Sequence, residues 1–377
     1  MKPKRLKILC VVGTRPEAIK MAPVIKALSK TDRVETKVCV TAQHREMLDS
    51  VLKIFDIAPD EDLQIMEENQ TPSGVAAAVL SKIAPVLSKE QPDWVLIQGD
   101  TTTVMATAIA AFYQRIKIGH IEAGLRTYDR EQPFPEEINR QLAGVLADVH
   151  FAPTEKARQN LLKEGRRLEN VLVTGNTVID ALLWTAKLKT PDTIVKTVQN
   201  IRVNQSANTK IVLITAHRRE NFGKPIRDIC KAVLALAKKY RGKIHFIYPV
   251  HLNPHIQQPV YQQLSGNDHI TLLAPLDYDE MVHLLKQVDL VMTDSGGIQE
   301  EAPAFGKPVL VLREVTERPE AIEAGAAMLT GMDKNRIVKN VSELIDNAAL
   351  YQQMANAINP YGDGFASRRI VDFLLKM

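Results

Sequence analysis

The first half of the chain contains four carboxylates that could take part in acid–base chemistry. Asp100 and Glu122 each follow such a run, and Glu136 and Glu137 follow a Pro-Phe-Pro segment. Helix capping is an alternative role for Asp100, and the helix dipole favours an acid such as Glu136 in a first turn whatever its function. Glu122 has no such role. Together the four residues predict acid and base groups for proton transfer around one site.

Basic residues accompany these acids. Arg140 follows Glu136 by four residues, which predicts an i,i+4 pair on one helix face that could equally be structural. Arg15 lies in the segment Gly13–Glu17, where glycine permits a tight strand-to-helix turn and proline suits the first helical position. An anion is favoured at that helix N-terminus, and Lys20 stands about one turn further on. Surface ion pairing is the alternative for both side chains.

A second anion site is predicted in the other half of the chain. Asp294-Ser295-Gly296-Gly297 lies between a buried strand and a predicted helix, Ile298–Phe305. The serine and two glycines leave backbone N–H groups for a diphosphate, although Ser295 could be a plain helix cap. Glu301 falls on the same side of that helix, where it can accept hydrogen bonds from ribose hydroxyls. A carboxylate near a phosphate site favours a nucleotide sugar over inorganic phosphate.

Histidines and short motifs narrow the chemistry. His217 ends another apolar run and adjoins two arginines, so it is a further candidate functional residue, although a lone histidine is usually structural. His251 and His255 have i,i+4 spacing, but a proline intervenes and no third ligand is near in sequence, so no metal site is predicted. The sequence also lacks G-x-G-x-x-G, G-x-x-x-x-G-K and G-x-S-x-G, which argues against nicotinamide, ATP and serine-hydrolase chemistry.

Strands and helices that alternate along the whole chain must position these residues. The apolar runs rich in Val and Ile are Leu6–Val12, Val34–Val40, Trp94–Ile97, Ile116–Ile121, Val149–Ala152, Val171–Val173, Ile211–Ile214, Ile244–Val250, Ile270–Leu273, Leu290–Met292, Val309–Leu312 and Ala326–Leu329. Helical patterns between them include Pro16–Ser29, Thr102–Tyr113, Glu136–Leu146, Ile226–Lys239 and Ile337–Ala349. Continuous apolar runs indicate parallel strands covered on both faces, so the predicted class is α/β. In such sheets ligands bind beyond the carboxyl ends of the strands, where the candidate residues stand.

The number of strands predicts two domains. Twelve strands exceed one ordinary doubly wound sheet, and residues 177–209 carry no strand pattern. We therefore expect two α/β domains with a boundary near residues 175–205. A single (β/α)8 barrel is the rival architecture, and both observations disfavour it.

Composition excludes several classes of protein. In 377 residues, 45% hydrophobic and 24% charged residues are typical of a globular chain, not a disordered one. A net charge of +4 and 5% aromatic residues argue against a nucleic-acid partner. The three cysteines lie in apolar runs without C-x-x-C spacing, which indicates a reducing compartment. With neither a signal peptide nor an apolar stretch of about 20 residues, we expect a cytoplasmic protein with no membrane partner.

Several of these motifs, with others, occur in one order along the chain. They are Gly13-Thr14-Arg15-Pro16-Glu17-Ala18-Ile19-Lys20, Gln98-Gly99-Asp100, His120-Ile121-Glu122-Ala123-Gly124-Leu125-Arg126, Pro135-Glu136-Glu137-Ile138-Asn139-Arg140, Thr174-Gly175-Asn176-Thr177, His217-Arg218-Arg219-Glu220-Asn221, Asp294-Ser295-Gly296-Gly297, Thr316-Glu317-Arg318-Pro319-Glu320 and Asn359-Pro360-Tyr361-Gly362-Asp363-Gly364. This set resembles the bacterial non-hydrolysing UDP-N-acetylglucosamine 2-epimerases over essentially the whole chain.

The resemblance implies an architecture and an activity. The fold would be of the GT-B type: two facing Rossmann-like domains with the active site in the cleft between them. Residues 1–175, completed by the C-terminal helix 360–377, would form the N-terminal domain, and residues 176–359 the UDP-binding domain. The family interconverts UDP-GlcNAc and UDP-ManNAc without a cofactor or metal, usually as a homodimer, and supplies ManNAc for bacterial surface polysaccharides. Breaking the C1–O bond to UDP makes loss of the C2 proton feasible, so elimination to a 2-acetamidoglucal and re-addition would invert C2.

The resemblance also implies residue roles. The catalytic set would be Asp100, Glu122, Glu136, Arg140 and His217. The substrate-binding set would be Arg15, Lys20, Asp100, Glu122, His217, Leu276, Met281, Ser295, Gly296, Gly297, Glu301 and Arg318. Glu301 would take the ribose and the segment with Leu276 and Met281 the uracil, although relatives often have an aromatic residue where this chain has Met281. A regulatory second substrate site would draw on Gln43, Arg218 and His251.

Three alternative functions share parts of this site. A GT-B glycosyltransferase would use the same nucleotide site but needs an acceptor groove, and a hydrolysing epimerase would release free ManNAc. A non-catalytic nucleotide-sugar sensor belongs to a different class. The number of carboxylates argues against the sensor, because binding alone does not need so many.

Overall fold

The computed structural model describes residues 5–41, 45–66, 70–205 and 208–377. They divide into two compact units: unit 1 is Met1–Trp184 with Tyr361–Met377, and unit 2 is Thr185–Pro360. Each unit contains its own parallel sheet with helices around it. The α/β prediction is therefore confirmed, and the single-barrel alternative is wrong.

Unit 1 contains a seven-stranded sheet in the order β3-β2-β1-β4-β5-β6-β7, with all neighbours parallel. Its strands are β1 (Leu6–Val12), β2 (Val34–Val40), β3 (Glu61–Asp62), β4 (Trp94–Gln98), β5 (Lys117–Ile121), β6 (Val149–Ala152) and β7 (Val171–Val173). Its helices before unit 2 are α1 (Arg15–Ser29), α2 (Arg45–Ile54), α3 (Pro72–Glu90), α4 (Thr102–Tyr113), α5 (Glu136–Leu146), α6 (Glu155–Lys163) and α7 (Thr177–Thr185). Strands such as β4 are buried along their whole length, as expected of a sheet covered on both faces.

Unit 2 contains a six-stranded parallel sheet in the order β10-β9-β8-β11-β12-β13. Its strands are β8 (Lys210–Thr215), β9 (Ile244–Pro249), β10 (Ile270–Leu273), β11 (Leu290–Thr293), β12 (Val309–Val311) and β13 (Ala327–Leu329). Its helices are α8 (Asp192–Asn204), α9 (Lys224–Lys239), α10 (Pro254–Leu264), α11 (Tyr278–Gln287), α12 (Gly296–Glu301), α13 (Pro319–Glu323), α14 (Lys334–Asp346) and α15 (Ala348–Ala355).

After unit 2 the chain returns to unit 1 and ends in α16 (Ala366–Leu374), which packs against α1. Asp180 on α7 accepts hydrogen bonds from the N–H groups of Ala366 and Ser367, at 3.1 and 2.8 Å. This attachment explains why most of α7 belongs to unit 1, whereas the sequence prediction ended the first part of this domain at residue 175.

The predicted elements differ from the structure in a few places. Each of the twelve predicted strands is present with ends within one residue, and the two-residue β3 is the strand that the sequence did not predict. The single helix predicted over Ile337–Ala349 is two helices, because Asn347 ends α14 and its side chain accepts from the Leu350 N–H to begin α15. The predicted helix Ile298–Phe305 begins earlier, at Gly296, and tightens to a 3-10 turn at Ala302.

Candidate active site

The candidate residues lie where each sheet reverses its strand order. In unit 1, β2 and β3 lie on one side of β1, and β4 to β7 lie on the other side. The connections that leave β1 and β4 therefore run in opposite directions. In unit 2 the same reversal occurs between β8 and β11. Ligands of doubly wound sheets bind at such points, beyond the carboxyl ends of the strands. Arg15 and Asp100 follow the first pair of strands, and His217 and Ser295 follow the second.

Glu122 directly follows β5 and its side chain is 5% exposed. Its φ of 63° lies in the left-handed region, where a glutamate is uncommon. Lys20 Nζ lies 2.6 Å from both carboxylate oxygens, Gln98 Nε2 donates to one of them, and Asn176 Nδ2 donates to the other at 3.1 Å. Three side chains from α1, β4 and the loop before α7 thus fix the direction of this carboxylate. The structure pairs Lys20, predicted to line the nucleotide site, with Glu122.

Asp100 is the second residue after β4. It follows Gly99, whose φ of 83° allows a sharp turn of the chain. The pKa of Asp100 is raised to about 6, chiefly by burial; the charges of Glu122 and Glu136 also raise the pKa, while those of Arg140 and Lys20 lower it. Arg140 Nη1 lies 3.3 Å from its carboxylate. A carboxyl group with a pKa near 6 is suited to exchange a proton near neutral pH.

Arg140 binds Glu137, so the predicted pairing of Arg140 with Glu136 is wrong. Arg140 Nε donates to Glu137 at 2.8 Å, and its Nη2 reaches the same oxygen. Glu137 is fully buried and also accepts from the Thr127 N–H at 3.0 Å. Burial raises the pKa of Glu137, but the bonds from Thr127 and Arg140 outweigh it, and the pKa lies below its usual value. Arg140 therefore bridges a buried anion and Asp100, while Glu136 is half-buried near Asp100.

Glu17 is a buried acid that was not among the candidate residues predicted from the sequence. Its carboxylate accepts from the N–H groups of Gly13 and Thr14, and with Thr14 it forms the capping box that begins α1. Burial raises the pKa of Glu17 to about 7, and Asp100 acts in the same direction against hydrogen bonds that lower it. The Thr-x-x-Glu spacing was the available signal. Arg15 is the first residue of the helix that this box caps, and it is half-buried.

In unit 2 the completely buried Asp294 organises the loop after β8. One of its carboxylate oxygens accepts from the N–H groups of His217 and Arg218, at 2.7 and 2.8 Å, and from Asn221 Nδ2 at 2.7 Å. His217 Nδ1 lies 3.3 Å from the other oxygen. Asp294 thus contacts both the backbone N–H and the imidazole of His217 and fixes the position of the ring. This role was not predicted from the sequence.

His217 stacks on His251, with ring centroids 5.5 Å apart and ring planes at 16°. Burial lowers the pKa of His217, and His251 and Arg218 add to this, against the opposing charge of Asp294. Of the predicted regulatory residues, His251 is therefore in contact with His217, while Arg218 lies 3.8 Å from Glu317. Gln43 lies outside the described residues.

The loop after β11 places Ser295 at the N-cap of α12, followed by Gly296 and Gly297. A Cβ on Gly296 would lie 3.7 Å from Arg218 Nη2, so the predicted anion loop and the arginine after His217 are neighbours. Glu301 ends α12 and is buried.

The other predicted nucleotide contacts of unit 2 are Arg318, Leu276 and Met281. Arg318 Nε donates to the buried Glu300, a partner the sequence did not predict. Leu276 precedes α11 and Met281 lies within it, and both are half-buried.

The structure brings Asp100, Glu122, Lys20 and Arg140 together in unit 1, with Glu136 at the edge of the group. It brings His217, His251, Arg218 and Gly296 together in unit 2. The residues that sequence reasoning missed are the partners that hold these groups: Gln98, Glu137, Asn176, Asp294 and Glu300.

Two features are absent from the described part of the chain. No group of three His, Cys, Asp or Glu side chains there could hold a metal ion. None of its helices is long and apolar enough to cross a membrane.

Comparison with known proteins gives matches along the whole chain. Residues 26–375 match the family model described as UDP-N-acetylglucosamine 2-epimerase. The UDP-N-acetylglucosamine 2-epimerases of Yersinia pestis and Escherichia coli (strain K12) are each 50% identical to the chain, over 98% of it and 98% of their own length.

Solved structures give the same result. The crystal structure of UDP-GlcNAc 2-epimerase from Neisseria meningitidis bound to UDP-GlcNAc is 49% identical, with a TM-score of 0.89 over 99% of this chain and 100% of that one. The Methanocaldococcus jannaschii enzyme in complex with UDP-GlcNAc and UDP is 34% identical, with a TM-score of 0.78 over 99% of this chain and 100% of that one. The two parallel α/β units are accordingly of the predicted GT-B type.

Proposed function

This chain belongs to the non-hydrolysing UDP-N-acetylglucosamine 2-epimerase family and is an isomerase, and from that premise we propose that it interconverts UDP-GlcNAc and UDP-ManNAc by inverting C2. The observation that carries the proposal is the pair of carboxylates Asp100 and Glu122, which follow neighbouring strands of one sheet. Each is paired with a cation, Arg140 and Lys20 respectively.

The proposed reaction is an elimination followed by re-addition. The C2 proton of the sugar is barely acidic, because no carbonyl adjoins C2. When the C1–O bond breaks, UDP leaves with the bonding electron pair and positive charge develops at C1. Loss of the C2 proton to a carboxylate then gives 2-acetamidoglucal. Return of UDP to C1 and of a proton to the other face of C2 gives the epimer, so atoms and charge balance.

The unit 1 residues fit the proton transfers. Asp100 has a pKa near 6, so it can hold or release a proton near neutral pH. Glu122 is held by Lys20, Gln98 and Asn176, so its carboxylate has a fixed direction. Together with Glu136, these are the groups that we assign to acid and base steps at C2. Arg140 orients Asp100 from its anchor on Glu137.

We assign the nucleotide to unit 2 residues. His217, Ser295, Gly296 and Gly297 would hold the diphosphate, because Asp294 and the two strand ends bring them to one edge of the sheet. Glu301 would accept from the ribose, and Leu276 and Met281 would pack on the uracil. Arg318 would add positive charge for the departing UDP, and we keep Arg15 and Lys20 of unit 1 as proposed substrate contacts. Relatives bound to UDP-GlcNAc or UDP support the binding of such a nucleotide by this chain, and the residue assignment is our proposal.

An exchange experiment separates this function from its alternatives. Incubation with UDP-GlcNAc in D2O, with no acceptor present, should give UDP-ManNAc carrying deuterium at C2, seen as loss of the C2 proton signal by NMR. Free ManNAc in stoichiometric amount would select the hydrolysing variant. Absence of exchange would overturn the epimerase proposal and leave the glycosyltransferase and the sensor, which an acceptor screen would separate.

Further parts of the proposal concern the cell and the assembly. The protein would act in the cytoplasm, consistent with three buried cysteines that form no disulfide, and its product would supply ManNAc for bacterial surface polysaccharide.

The protein would be a homodimer through α4 and α5. Phe112 and Tyr113 on α4 are 56% and 76% exposed, and Leu142 and Val145 on α5 are 41% and 58% exposed. Because α4 and α5 contact each other, exposed apolar side chains on both helices favour an interaction surface there.

Allosteric control by a second UDP-GlcNAc would use Gln43, Arg218 and His251. The stacking of His251 on His217 supports this part, because it gives a regulatory residue direct contact with a substrate residue.

A further inference from the structure

The segment in which the chain returns from unit 2 lies directly on the loop before α7. The Asn176 N–H donates to the Tyr361 carbonyl at 2.6 Å, and Tyr361 is 2% exposed. A Cβ on Gly175 would lie 3.2 Å from Gly362 Cα, and a Cβ on Gly362 would lie 3.4 Å from Asn176 N. The two backbones therefore touch with no side chain between them, which fixes Asn176 relative to the return segment.

The Asn176 side chain is held at its oxygen and donates from its nitrogen. Its Oδ1 accepts from the Val178 N–H at 3.1 Å, at the start of α7. Because that backbone group is a donor, the amide orientation is settled, and Nδ2 is the atom that faces Glu122 Oε1 at 3.1 Å. Asn176 is itself 2% exposed, so the side chain has little room for another conformation.

We propose that Asn176 is a positioning residue, which couples the return segment at Tyr361 to the direction of the Glu122 carboxylate. Lys20 and Gln98 hold the same carboxylate from α1 and β4. Asn176 holds it from the place where the chain re-enters unit 1. The inference rests on the proposed function in one respect, that Glu122 acts on the substrate.

The competing explanation is that Asn176 merely caps α7. The variant Asn176→Asp separates the two roles, because aspartate keeps an oxygen for the Val178 N–H but replaces the donor to Glu122 by a second carboxyl oxygen. When ionised, that carboxylate repels Glu122. When it shares a proton with Glu122, it restores the hydrogen bond.

The activity test therefore includes a pH profile. We expect Asn176→Asp to lower kcat for C2 exchange at neutral pH by roughly 10- to 100-fold, the cost of a misplaced catalytic group, with KM for UDP-GlcNAc unchanged. The loss relative to wild type should shrink as pH falls, because protonation restores the donor. A cap alone would leave kcat and its pH profile unchanged.

A second variant tests the same contact from the residue before Asn176. Gly175→Ala should also lower kcat without changing KM, because its Cβ would lie 3.2 Å from Gly362 Cα, tight enough to shift Asn176 relative to the return segment. Gly165→Ala is the matched control, since Gly165 has a φ of 81° in the same unit but open space around it. Gly165→Ala strains the backbone by putting a side chain at positive φ but makes no new contact. It should therefore lower thermal stability and leave kcat unchanged. Equal kcat for both glycine variants would contradict the proposal.

A double-mutant cycle tests the contact without any measurement of activity. In wild type, Asn176→Asp should lower the melting temperature, whereas in a Glu122→Gln background that loss should vanish, because aspartate can accept from the glutamine amide. Additive losses would overturn the proposal even if wild type showed no C2 exchange. If wild type exchanges C2 and both variants exchange at its rate, this inference alone fails and the proposed function stands.

Discussion

Glu122→Gln tests the central pair of the site through both stability and turnover. Lys20 Nζ lies 2.6 Å from both oxygens of Glu122, with the two side chains 17% and 5% exposed. Removing one partner of a buried pair strands the other charge and costs about 3–5 kcal/mol. For a unit of this size 1 kcal/mol corresponds to about 2–4 °C, so we expect the melting temperature of unit 1 to fall by roughly 6–20 °C.

The matched variant Lys20→Met/Glu122→Gln removes the stranded ammonium and should recover most of the lost stability, because a buried pair replaced by uncharged groups costs little. It should not recover turnover. Loss of a positioned acid or base lowers the rate by about 10²–10⁴-fold, so C2 exchange should fall by this factor in both variants.

Differential scanning calorimetry and NMR-detected exchange in D2O measure the two effects, and isothermal titration with UDP checks that the nucleotide site persists. The reasoning would be refuted if the double variant melted below Glu122→Gln, or if Glu122→Gln exchanged C2 at the wild-type rate.

Three further predictions follow from the same geometry. Arg140→Gln removes the cation that lowers the pKa of Asp100, so the ionisation of Asp100 in the pH profile of kcat should move up by about 1 unit; an unmoved profile would show that Arg140 does not act on Asp100. Glu17 has a folded pKa of about 7 against an ordinary value of 4.5, so the folded state keeps its proton longer and stability from this group falls as pH rises between these values. In urea unfolding, wild type should therefore lose about 3 kcal/mol relative to Glu17→Gln from pH 4.5 to above 7, and parallel curves would contradict this. Val145→Glu places a charge on the exposed face of α5 and should convert the proposed dimer to a monomer in light scattering, with exposed Lys156→Glu as a charge control that stays dimeric.

Much of the fold could be predicted because its signals are local. A continuous apolar run shows a strand buried on both faces, and all twelve such runs became strands. The two-residue β3 is acidic and too short to show this pattern, and the break between α14 and α15 depends on one capping residue, Asn347. The sequence also showed that the candidate residues follow the ends of strands. The strand order of the two sheets then places them at the carboxyl edge of each sheet.

The sequence by itself determined which residue types follow which strand, and hence that acids cluster in unit 1 and an anion loop in unit 2. Only the tertiary structure decided which group pairs with which. Glu136 and Glu137 are both within one helical turn of Arg140, and burial against the Thr127 N–H selects Glu137. Lys20 and Glu122 are 102 residues apart, so sheet order and side-chain reach, not spacing along the chain, bring them to 2.6 Å.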